Sequence, residues 1–499
     1  MARDVPRSQR GFFRSLFRLP IILLALLIAG LAAVAWQVLP SRERPSAAVA
    51  IYGGEQFQQA GRSLTVPPGD GEISLFVAGD AIITQPWSHI TDPQFLRMID
   101  EIRAADVAIA NLETLIHEYR GYAQAESGGT WLASPPEIAD ELVWAGFDVM
   151  AHANNHTFDY GSIGVLETHE NASRASLILA GSGADLQAAR APRYVRHAKG
   201  TVALVSMAST FVPFGRASRS RPDLRGRPGL NPLTIVSNAE VRITRATAER
   251  LQALAQAVGF TGTRFVAAEF DIWGVPVRVH DSHGLAWGRR IRQDDLEGNL
   301  AAVREAARNA DIVVLSLHEH WQKGGWLTDF AHQAIDAGAD VFFVQGTHSM
   351  RGIEIYKGKP IFYGLGDFVF QAELVERLPA EFYEELGLGD DVGPAEAMRR
   401  RYMDGAIGFP ARRAVWEGVG AALRFKDEQL IELRLLPLDL RFGAPLPQRG
   451  RPRAAAGGLA REIIEFIAAQ SAEFGTEVLY VETPELGVVR LDTSRRDQP

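Results

Sequence analysis

Polar side chains that could bind a metal or transfer a proton occur at five places where the sequence predicts that a strand ends. They are Gly79-Asp80, Asn111-Leu112-Glu113, Asn154-Asn155-His156, His318 and Gly346-Thr347-His348. Ligands of open α/β sheets bind outside the carboxyl ends of the strands, so we expect these turns to converge. Carboxylate, amide and imidazole donors together favour Zn, Mn or Fe over a pure Ca or Mg site. The sequence therefore predicts a site for a divalent metal.

The elements that must position these side chains alternate between strands and helices. The strand ISLFVAGDAII precedes the helix PQFLRMIDEIRAA and the strand DVAIANLET, and the same rhythm continues as far as PIFYGLGDFVF. Such alternation predicts an α/β fold with a largely parallel sheet that helices cover on both faces. The stretch VGAALRFKDEQLIELRLLPLDL predicts a β-hairpin, and a last helix and strand follow it.

The domain division follows from where the alternation of strands and helices starts, is interrupted and ends. We expect one α/β domain over residues 71–372, with an insertion at about 212–300. An irregular segment follows at 373–412, and a hairpin, helix and strand at 413–499 complete the domain. Residues 40–70 are rich in Ser, Pro, Gly and Gln, which is typical of a linker.

The N-terminal segment predicts the location of the protein. Five arginines in residues 1–18 precede an apolar run from Leu19 to Trp36, within a predicted transmembrane segment at 19–39. A helix of this length spans the hydrocarbon core of a bilayer, and the arginines favour a cytoplasmic N-terminus. The prediction is a single-pass membrane protein with an extracytoplasmic body. The alternative is secretion after signal cleavage, because Ala33-Val34-Ala35 resembles a cleavage site.

Composition excludes several kinds of chemistry and partner. The 499 residues include no cysteine, so disulfides and thiolate metal sites are ruled out. The formal net charge of −8 disfavours a general nucleic-acid binder, which needs a basic surface. We therefore expect no nucleic-acid partner.

Five motifs resemble, in their order along the chain, those of the CapA family of capsule and poly-γ-glutamate synthesis proteins. They are VAGDAII, DVAIANLET, FDVMAHANNHTFDYG, DIVVLSLHEHW and GTHSMRGIEIYKGKPIFYGLGDFVF. The resemblance covers about residues 73–372, and residues 212–300 match it poorly. It implies a layered fold of the calcineurin-like metallophosphoesterase type.

The resemblance also implies roles for individual residues. The metal ligands would be Asp80, Glu113, Asn155, His318 and His348. His156 would be the catalytic acid or would contact a phosphate, and Asp159 would hold the tautomer of its imidazole. Asn154 would contact the substrate.

The sequence departs from the resemblance at three positions. Ile82 stands where metallophosphoesterases have the histidine of Asp-x-His, and Gln345 stands at a position that is commonly histidine. Asp367 replaces the usual asparagine of Leu-Gly-Asn-Phe. The loss of two imidazoles weakens a second metal position, so both one ion and a pair of ions remain open. His152, His169 and His320 are expected to be structural histidines rather than ligands.

A loop from Gly215 to Gly229 carries five arginines, among them Arg225 and Arg227. Arginine binds carboxylates and phosphates through two parallel hydrogen bonds, so this loop is a candidate site for a polyanion. The alternative is a solvated charged face.

Two functions fit these features. The first is a metal-dependent hydrolase or transferase that acts on a polyanionic surface polymer or its precursor. The second is a non-catalytic polymer-binding component of a synthesis or export complex. In both, the partners are the polymer, the membrane and other membrane components of the assembly. The retained candidate ligands favour the enzyme, whereas Ile82 and Gln345 favour binding alone.

Overall fold

The computed structural model describes residues 72–260, 264–272, 275–321 and 325–491. The predicted cytoplasmic segment 1–18, the apolar segment 19–39 and the linker 40–70 lie outside these ranges. Among the helices of the described ranges, none is both long enough and apolar enough to cross a membrane.

The larger sheet has ten strands, and β1 lies at its centre. The strand order is β23-β24-β21-β20-β1-β2-β5-β6, with β19 beside β1 and β22 beside β21. The strands are β1 (Glu72–Ile82), β2 (Val107–Leu112), β5 (Val149–Ala151), β6 (Ile178–Ala180), β19 (Asp367–Phe370), β20 (Glu417–Lys426), β21 (Gln429–Asp439), β22 (Arg453–Ala454), β23 (Val478–Glu482) and β24 (Glu485–Val489). The expectation of a largely parallel sheet is correct for β1, β2, β5, β6 and β19. It is wrong for the C-terminal strands, which pair antiparallel. Hairpin turns connect β20 with β21 and β23 with β24.

The second sheet has six strands in the order β17-β18-β16-β15-β9-β8. Its strands are β8 (Arg193–His197), β9 (Gly200–Ala208), β15 (Ile312–His318), β16 (Val341–Gln345), β17 (Ile353–Tyr356) and β18 (Lys359–Phe362). The four inner strands are parallel, and an antiparallel strand closes each edge. This arrangement places the ends of β15 and β16 at the same edge of the sheet.

Smaller sheets complete the strand inventory of the described ranges. Two strand pairs are β3 (Leu115–Ile116) with β4 (Ala133–Ser134), and β7 (Ser182–Gly183) with β10 (Gly229–Leu230). A four-stranded sheet is formed by β11 (Ile235–Ile243), β12 (Glu269–Ile272), β13 (Val275–Val279) and β14 (Gly284–Ile291). This last sheet lies within residues 212–300, where the sequence predicts an insertion.

Ten α-helices occur in the described part of the chain. They are α1 (Pro93–Arg103), α2 (Ile138–Ala145), α3 (Gly161–Arg174), α4 (Leu186–Arg190), α5 (Arg245–Ala257), α6 (Gln293–Ala307), α7 (Trp326–Asp336), α8 (Ala380–Glu385), α9 (Pro394–Arg401) and α10 (Gly457–Ser471). Helix α1 shows why such segments fold as they do. Its buried residues Phe95, Met98, Ile99 and Ile102 form one apolar stripe, and the Asp92 side chain caps its first turn.

The two large sheets pack face to face, with α1, α2, α6 and α7 on their outer faces and α10 against the shared core. Along β1, Leu75 and Val77 point into the core that both sheets share, whereas Phe76 and Ala78 point toward α1 and α2. Successive side chains of a strand point to opposite faces, so an apolar run such as this one suits a strand buried on both sides. Helices α6 and α7 cover the second sheet in the same way. The layers are therefore helix, sheet, sheet, helix, within a mixed α/β fold.

A close approach of two backbones sets the position of Asp80. A Cβ atom at Gly79 would lie 1.8 Å from the carbonyl oxygen of Gly366, so only glycine fits there. Because the chain before β19 can approach β1 so closely, Asp80 and Asp367 become paired neighbours in parallel strands.

Candidate metal centre

Four predicted ligands converge between the two sheets. Asp80 lies near the end of β1 and Glu113 directly follows β2, whereas His318 ends β15 and His348 follows β16. Asp80, Glu113 and His318 are at most 1% exposed, and His348 is 8% exposed. The strand ends of both sheets therefore supply carboxylates and imidazoles to one buried region.

Three overlapping groups of side chains in this region have the spacing of metal ligands. Within each group, one ligand atom per residue lies within 4.8 Å of the others. The groups are Asp80 with Glu113 and His318, Asp80 with His348 and Asp367, and Glu113 with His320 and His348. Because Asp80, Glu113 and His348 each belong to two groups, this arrangement offers positions for one ion or for two.

Asp80 is held by two hydrogen bonds that leave it facing the centre. Asn111 Nδ2 donates to Oδ1 and the Gly346 backbone N–H donates to Oδ2, both at 2.8 Å. Gly346 has a φ of +95°, and a Cβ atom there would lie 2.8 Å from His318 Nε2. Burial raises the pKa of Asp80, although the positive charge of His348 acts in the opposite direction.

Glu113 provides the direct test of whether a cation fits. Both of its carboxylate oxygens are buried, and neither has a hydrogen-bond partner in the described part of the chain. His318 Nε2 lies 3.5 Å from Oε1. Burial and the nearby charge of Asp80 raise the pKa of Glu113 well above its ordinary value. An unpartnered buried carboxylate is costly, and a bound divalent ion would remove that cost, so these residues fit a metal.

Asp367 joins the centre, although we did not predict it as a ligand. Its Oδ1 lies 2.8 Å from His348 Nδ1, and its buried Oδ2 has no partner among the described residues. Burial raises the pKa of Asp367 to about 6, and the charges of His348 and Arg412 oppose this effect. Burial lowers the pKa of His348, but the charges of Asp367, Glu113 and Asp80 outweigh it and raise this pKa to about 10. In the sequence, the replacement of the usual asparagine by a carboxylate at position 367 is the feature that indicates this additional ligand.

His320 also lies in the centre, contrary to the expectation that it is structural. Its Nε2 is 3.0 Å from His318 Nε2, and its backbone N–H donates to Thr210 Oγ1 at 3.0 Å. Burial and the positive charge of His348 lower the pKa of His320 to about 3. Burial, together with the charge of His320, lowers the pKa of His318 well below its ordinary value. Both imidazoles are therefore neutral at pH 7, which is the form that binds metals.

His156 and Asp159 form the predicted hydrogen-bonded pair in the turn that follows β5. His156 Nδ1 lies 2.7 Å from Asp159 Oδ2, which also accepts from the Leu132 backbone N–H at 2.9 Å. The Gly128 N–H donates to the other oxygen of Asp159 at 3.1 Å. Asp159 thus holds the proton on Nδ1 and leaves Nε2 of His156 available.

Asn155 and Asn154 differ in what they can contact. Asn155 Nδ2 donates to the Gly128 carbonyl at 2.9 Å, and its buried Oδ1 has no partner within the described ranges. That oxygen remains available as a ligand. Asn154 is fully buried, donates to the Leu112 carbonyl at 2.7 Å and accepts from the His156 N–H at 3.1 Å. Both ends of its amide therefore join turns within the protein, and its contact with substrate stays a prediction.

The arginine loop lies at the surface. Arg225 and Arg227 are both exposed. The guanidinium of Arg227 donates to the Arg216 carbonyl at 2.8 and 3.2 Å. The start of the loop packs against the turn that carries His156, since a Cβ atom at Gly215 would lie 3.0 Å from Phe158 Cβ. Binding of a polyanion by Arg225 and Arg227 stays a prediction.

The other positions singled out in the sequence lie outside the ligand groups. His152 Nδ1 and His169 Nε2 both contact the Ser182 hydroxyl, at 2.7 and 2.8 Å, as expected of structural histidines. Ile82 packs in the apolar core on the α1 side of the large sheet. Gln345 Nε2 donates to Ser316 Oγ at 2.9 Å.

Comparison with known proteins decides the family. A family model described as "Bacterial capsule synthesis protein PGA_cap" matches residues 74–372, more than half of the chain. This chain belongs to that family. The family resemblance inferred from the five motifs is thereby confirmed, and the matched residues include the candidate ligands from Asp80 to Asp367.

Relatives of this PGA_cap protein differ in how much of the chain they share. The uncharacterized protein y4sH of Sinorhizobium fredii is 34% identical over 84% of this chain and 93% of its own length. A "Probable polyglutamine synthesis accessory protein" of Mycobacterium tuberculosis is 29% identical over 54% of this chain and 57% of its own length. The "PGA biosynthesis protein CapA" of Bacillus subtilis is 24% identical over 60% of this chain and 64% of its own length.

Proposed function

We propose that this PGA_cap protein is an extracytoplasmic metal-dependent hydrolase or transferase. Its substrate would be a polyanionic surface polymer of the capsule or poly-γ-glutamate kind, or the precursor of such a polymer. The observation that carries the proposal is the buried carboxylate of Glu113, which has no hydrogen-bond partner among the described residues and belongs to two of the groups of candidate ligands. The layered sheets also agree with a metallophosphoesterase-type fold.

The ligand set has a clear division of roles. Asp80, Glu113, His318 and His348 would hold Mn, Zn or Fe, and Asp367, His320 and Asn155 offer further donor atoms. A bound ion of this kind activates a water molecule or polarises a phosphoryl or acyl oxygen. The pair of His156 and Asp159 can then give a proton to a leaving group, or take one from a nucleophile, at His156 Nε2.

The test combines metal analysis with hydrolysis assays on the purified full-length protein. We expect bound Mn or Zn, and metal-dependent cleavage of poly-γ-glutamate or of a phosphodiester substrate. His156→Gln should lower kcat by about 10²-fold or more while the metal content stays unchanged, because general acid–base catalysis contributes about that much. Cleavage that survives complete removal of metal, or a chain that binds no metal, would overturn the proposal.

The alternative function is polymer binding without catalysis. Ile82 in the apolar core and Gln345 on Ser316 supply no imidazole to the centre, which favours this alternative. The two functions make different predictions for His156→Gln. A binding component would keep its affinity for poly-γ-glutamate and would show no metal-dependent turnover in either the wild type or the variant.

A further inference from the structure

The segment that follows the family-model match folds back onto the metal centre. The match ends at residue 372, and the sequence predicts an irregular stretch over 373–412. The structure shows α8 and α9 there, with Phe382 and Met398 packed against Leu115 and Trp131 of the domain. These apolar contacts hold residues 373–412 beside the turns that carry the ligands.

Phe409 brings this segment into direct contact with a candidate ligand. Its ring centre lies 5.0 Å from that of His348, and the two rings meet edge to face. The Phe409 carbonyl accepts a hydrogen bond from Trp416 Nε1 at 3.1 Å and another from the Arg412 N–H at 3.0 Å. The turn from Phe409 to Arg412 is therefore fixed from both sides.

Arg412 presents a cation next to this contact. Its guanidinium lies 5.6 Å from the ring centre of Phe409, and its charge acts on the Asp367 carboxylate. The residue is exposed, and no carboxylate of the described residues lies within ion-pair distance of it. Its neighbour Arg413 differs, because it pairs with Glu417 at 2.5 Å and Glu462 at 2.6 Å.

We infer that Arg412 binds an anionic group of the substrate, a phosphate or a carboxylate, at the mouth of the metal centre. This inference rests on the proposed function and adds to it a residue that selects the substrate. An arginine presents a planar fork of N–H donors that matches both anions, and a ring below it fixes the fork in place. The substrate group would thus be held between Arg412 and the ion.

The experiment measures binding of two probes to the purified full-length protein loaded with Mn²⁺. The probes are inorganic phosphate and glutarate, and the measurement is isothermal titration calorimetry. Arg412→Ala should weaken binding of the preferred probe by about tenfold or more, because a charge-assisted bidentate contact is lost. Arg412→Lys should recover part of the affinity, and Arg413→Ala should leave it unchanged. Preference for phosphate points to a phosphorylated precursor, and preference for glutarate points to a polycarboxylate.

The result that overturns this inference differs from the one that overturns the proposed function. Equal affinities of the wild type and Arg412→Ala for both probes would remove the role of Arg412, as would a wild type that binds neither probe. A wild type that takes up no Mn²⁺ would overturn the metal-dependent function. In that case the same comparison of Arg412 variants in the metal-free protein still decides the role of this arginine.

Discussion

The Glu113 carboxylate shows, at the scale of single residues, what a cation would change in this protein. Both oxygens are buried without hydrogen-bond partners in the described part of the chain, and the charge of Asp80 acts on them. Two carboxylates so close together repel each other, and without an ion this repulsion is relieved by the positive charge of His348 or by protonation of one carboxylate. A divalent ion removes this repulsion and stabilises the folded state by mass action.

We therefore predict that Mn²⁺ or Zn²⁺ raises the Tm of the wild-type protein. At a free-ion concentration 100 times the Kd, binding adds about 2.7 kcal/mol to the free energy of unfolding. Asp80→Asn and His348→Ala should lose this increase, whereas His89→Ala, a change at an exposed histidine, should retain it. The measurement is thermal unfolding with and without metal, and equal metal-induced shifts in all four proteins would contradict the prediction.

A second prediction concerns pH and His117. His117 Nδ1 accepts from the Tyr119 backbone N–H at 2.9 Å, so a proton on this nitrogen would break the bond. The rings of Tyr119 and Tyr160 surround the imidazole, and burial lowers its pKa from 6.5 to about 4. The unfolded chain takes up this proton at about pH 6.5 and the folded chain only near pH 4. Stability should therefore fall as the pH drops between these values, by up to about 3 kcal/mol for this group.

His117→Asn keeps an acceptor for the Tyr119 N–H but cannot be protonated. Urea unfolding at pH 7, 5.5 and 4.5 should show a shallower loss of stability in the variant than in the wild type. Parallel losses in the two proteins would show that His117 does not cause this part of the pH dependence.

The residues that the sequence could and could not identify differ in what brings them to the site. Asp80, Glu113, His318 and His348 lie near or directly after strand ends, and parallel strands bring their ends together. His320 lies two residues beyond the end of β15 and joins Glu113, which belongs to the other sheet. A contact between two sheets leaves no signal in the local sequence pattern.

At the scale of elements, the close approach of β1 to the chain before β19 is the tightest constraint on the site. A Cβ atom at Gly79 would overlap the Gly366 carbonyl, which cannot move away without displacing β19. Gly79→Ala should lower the free energy of unfolding by about 3 kcal/mol or more. Gly458→Ala, at an open position in α10, should leave stability unchanged or raise it by up to about 1 kcal/mol. Urea unfolding compares the two variants, and similar stabilities would contradict the steric argument.

The arginine loop gives a prediction about salt. Exposed charges interact over about 8–10 Å at working ionic strength, so contacts of Arg225 and Arg227 with a polyanion should weaken as salt is added. The double change to alanine should reduce affinity for poly-γ-glutamate and flatten its salt dependence. Arg221→Ala is a matched control, because Arg221 already pairs with Asp223 at 2.9 Å. Unchanged binding in the double variant would show that the loop is a solvated charged surface and not a polyanion site.

Element types were easier to predict than their pairing. The apolar alternation of residues 419–440 predicts the hairpin of β20 and β21. The sequence did not show that this hairpin would extend the large sheet antiparallel beside β1. Such pairing joins segments more than 300 positions apart, and local periodicity contains no information about it.

At the scale of the whole molecule, the segment from Leu19 to Trp36 leads to a prediction about topology. A helix of this length and apolarity spans a bilayer, and the arginines before it favour the cytoplasm. The full-length protein should remain in the membrane after high-salt and carbonate washes, and a reporter fused after Pro499 should face the extracytoplasmic side. Recovery of a soluble chain that starts near Trp36 would show that residues 19–39 are a cleaved signal and not a membrane anchor.

The position of β1 also affects how the protein is synthesised. Glu72 of β1 pairs with Lys426 of β20, and 354 positions separate them along the chain. A ribosome completes β1 long before it makes β20, so the backbone N–H and C=O groups along one edge of β1 lack their partner strand for most of translation. An open strand edge invites pairing with other chains, and closing a contact this distant in sequence is slow. Newly made chains should therefore depend on a chaperone that shields this edge until β20 arrives.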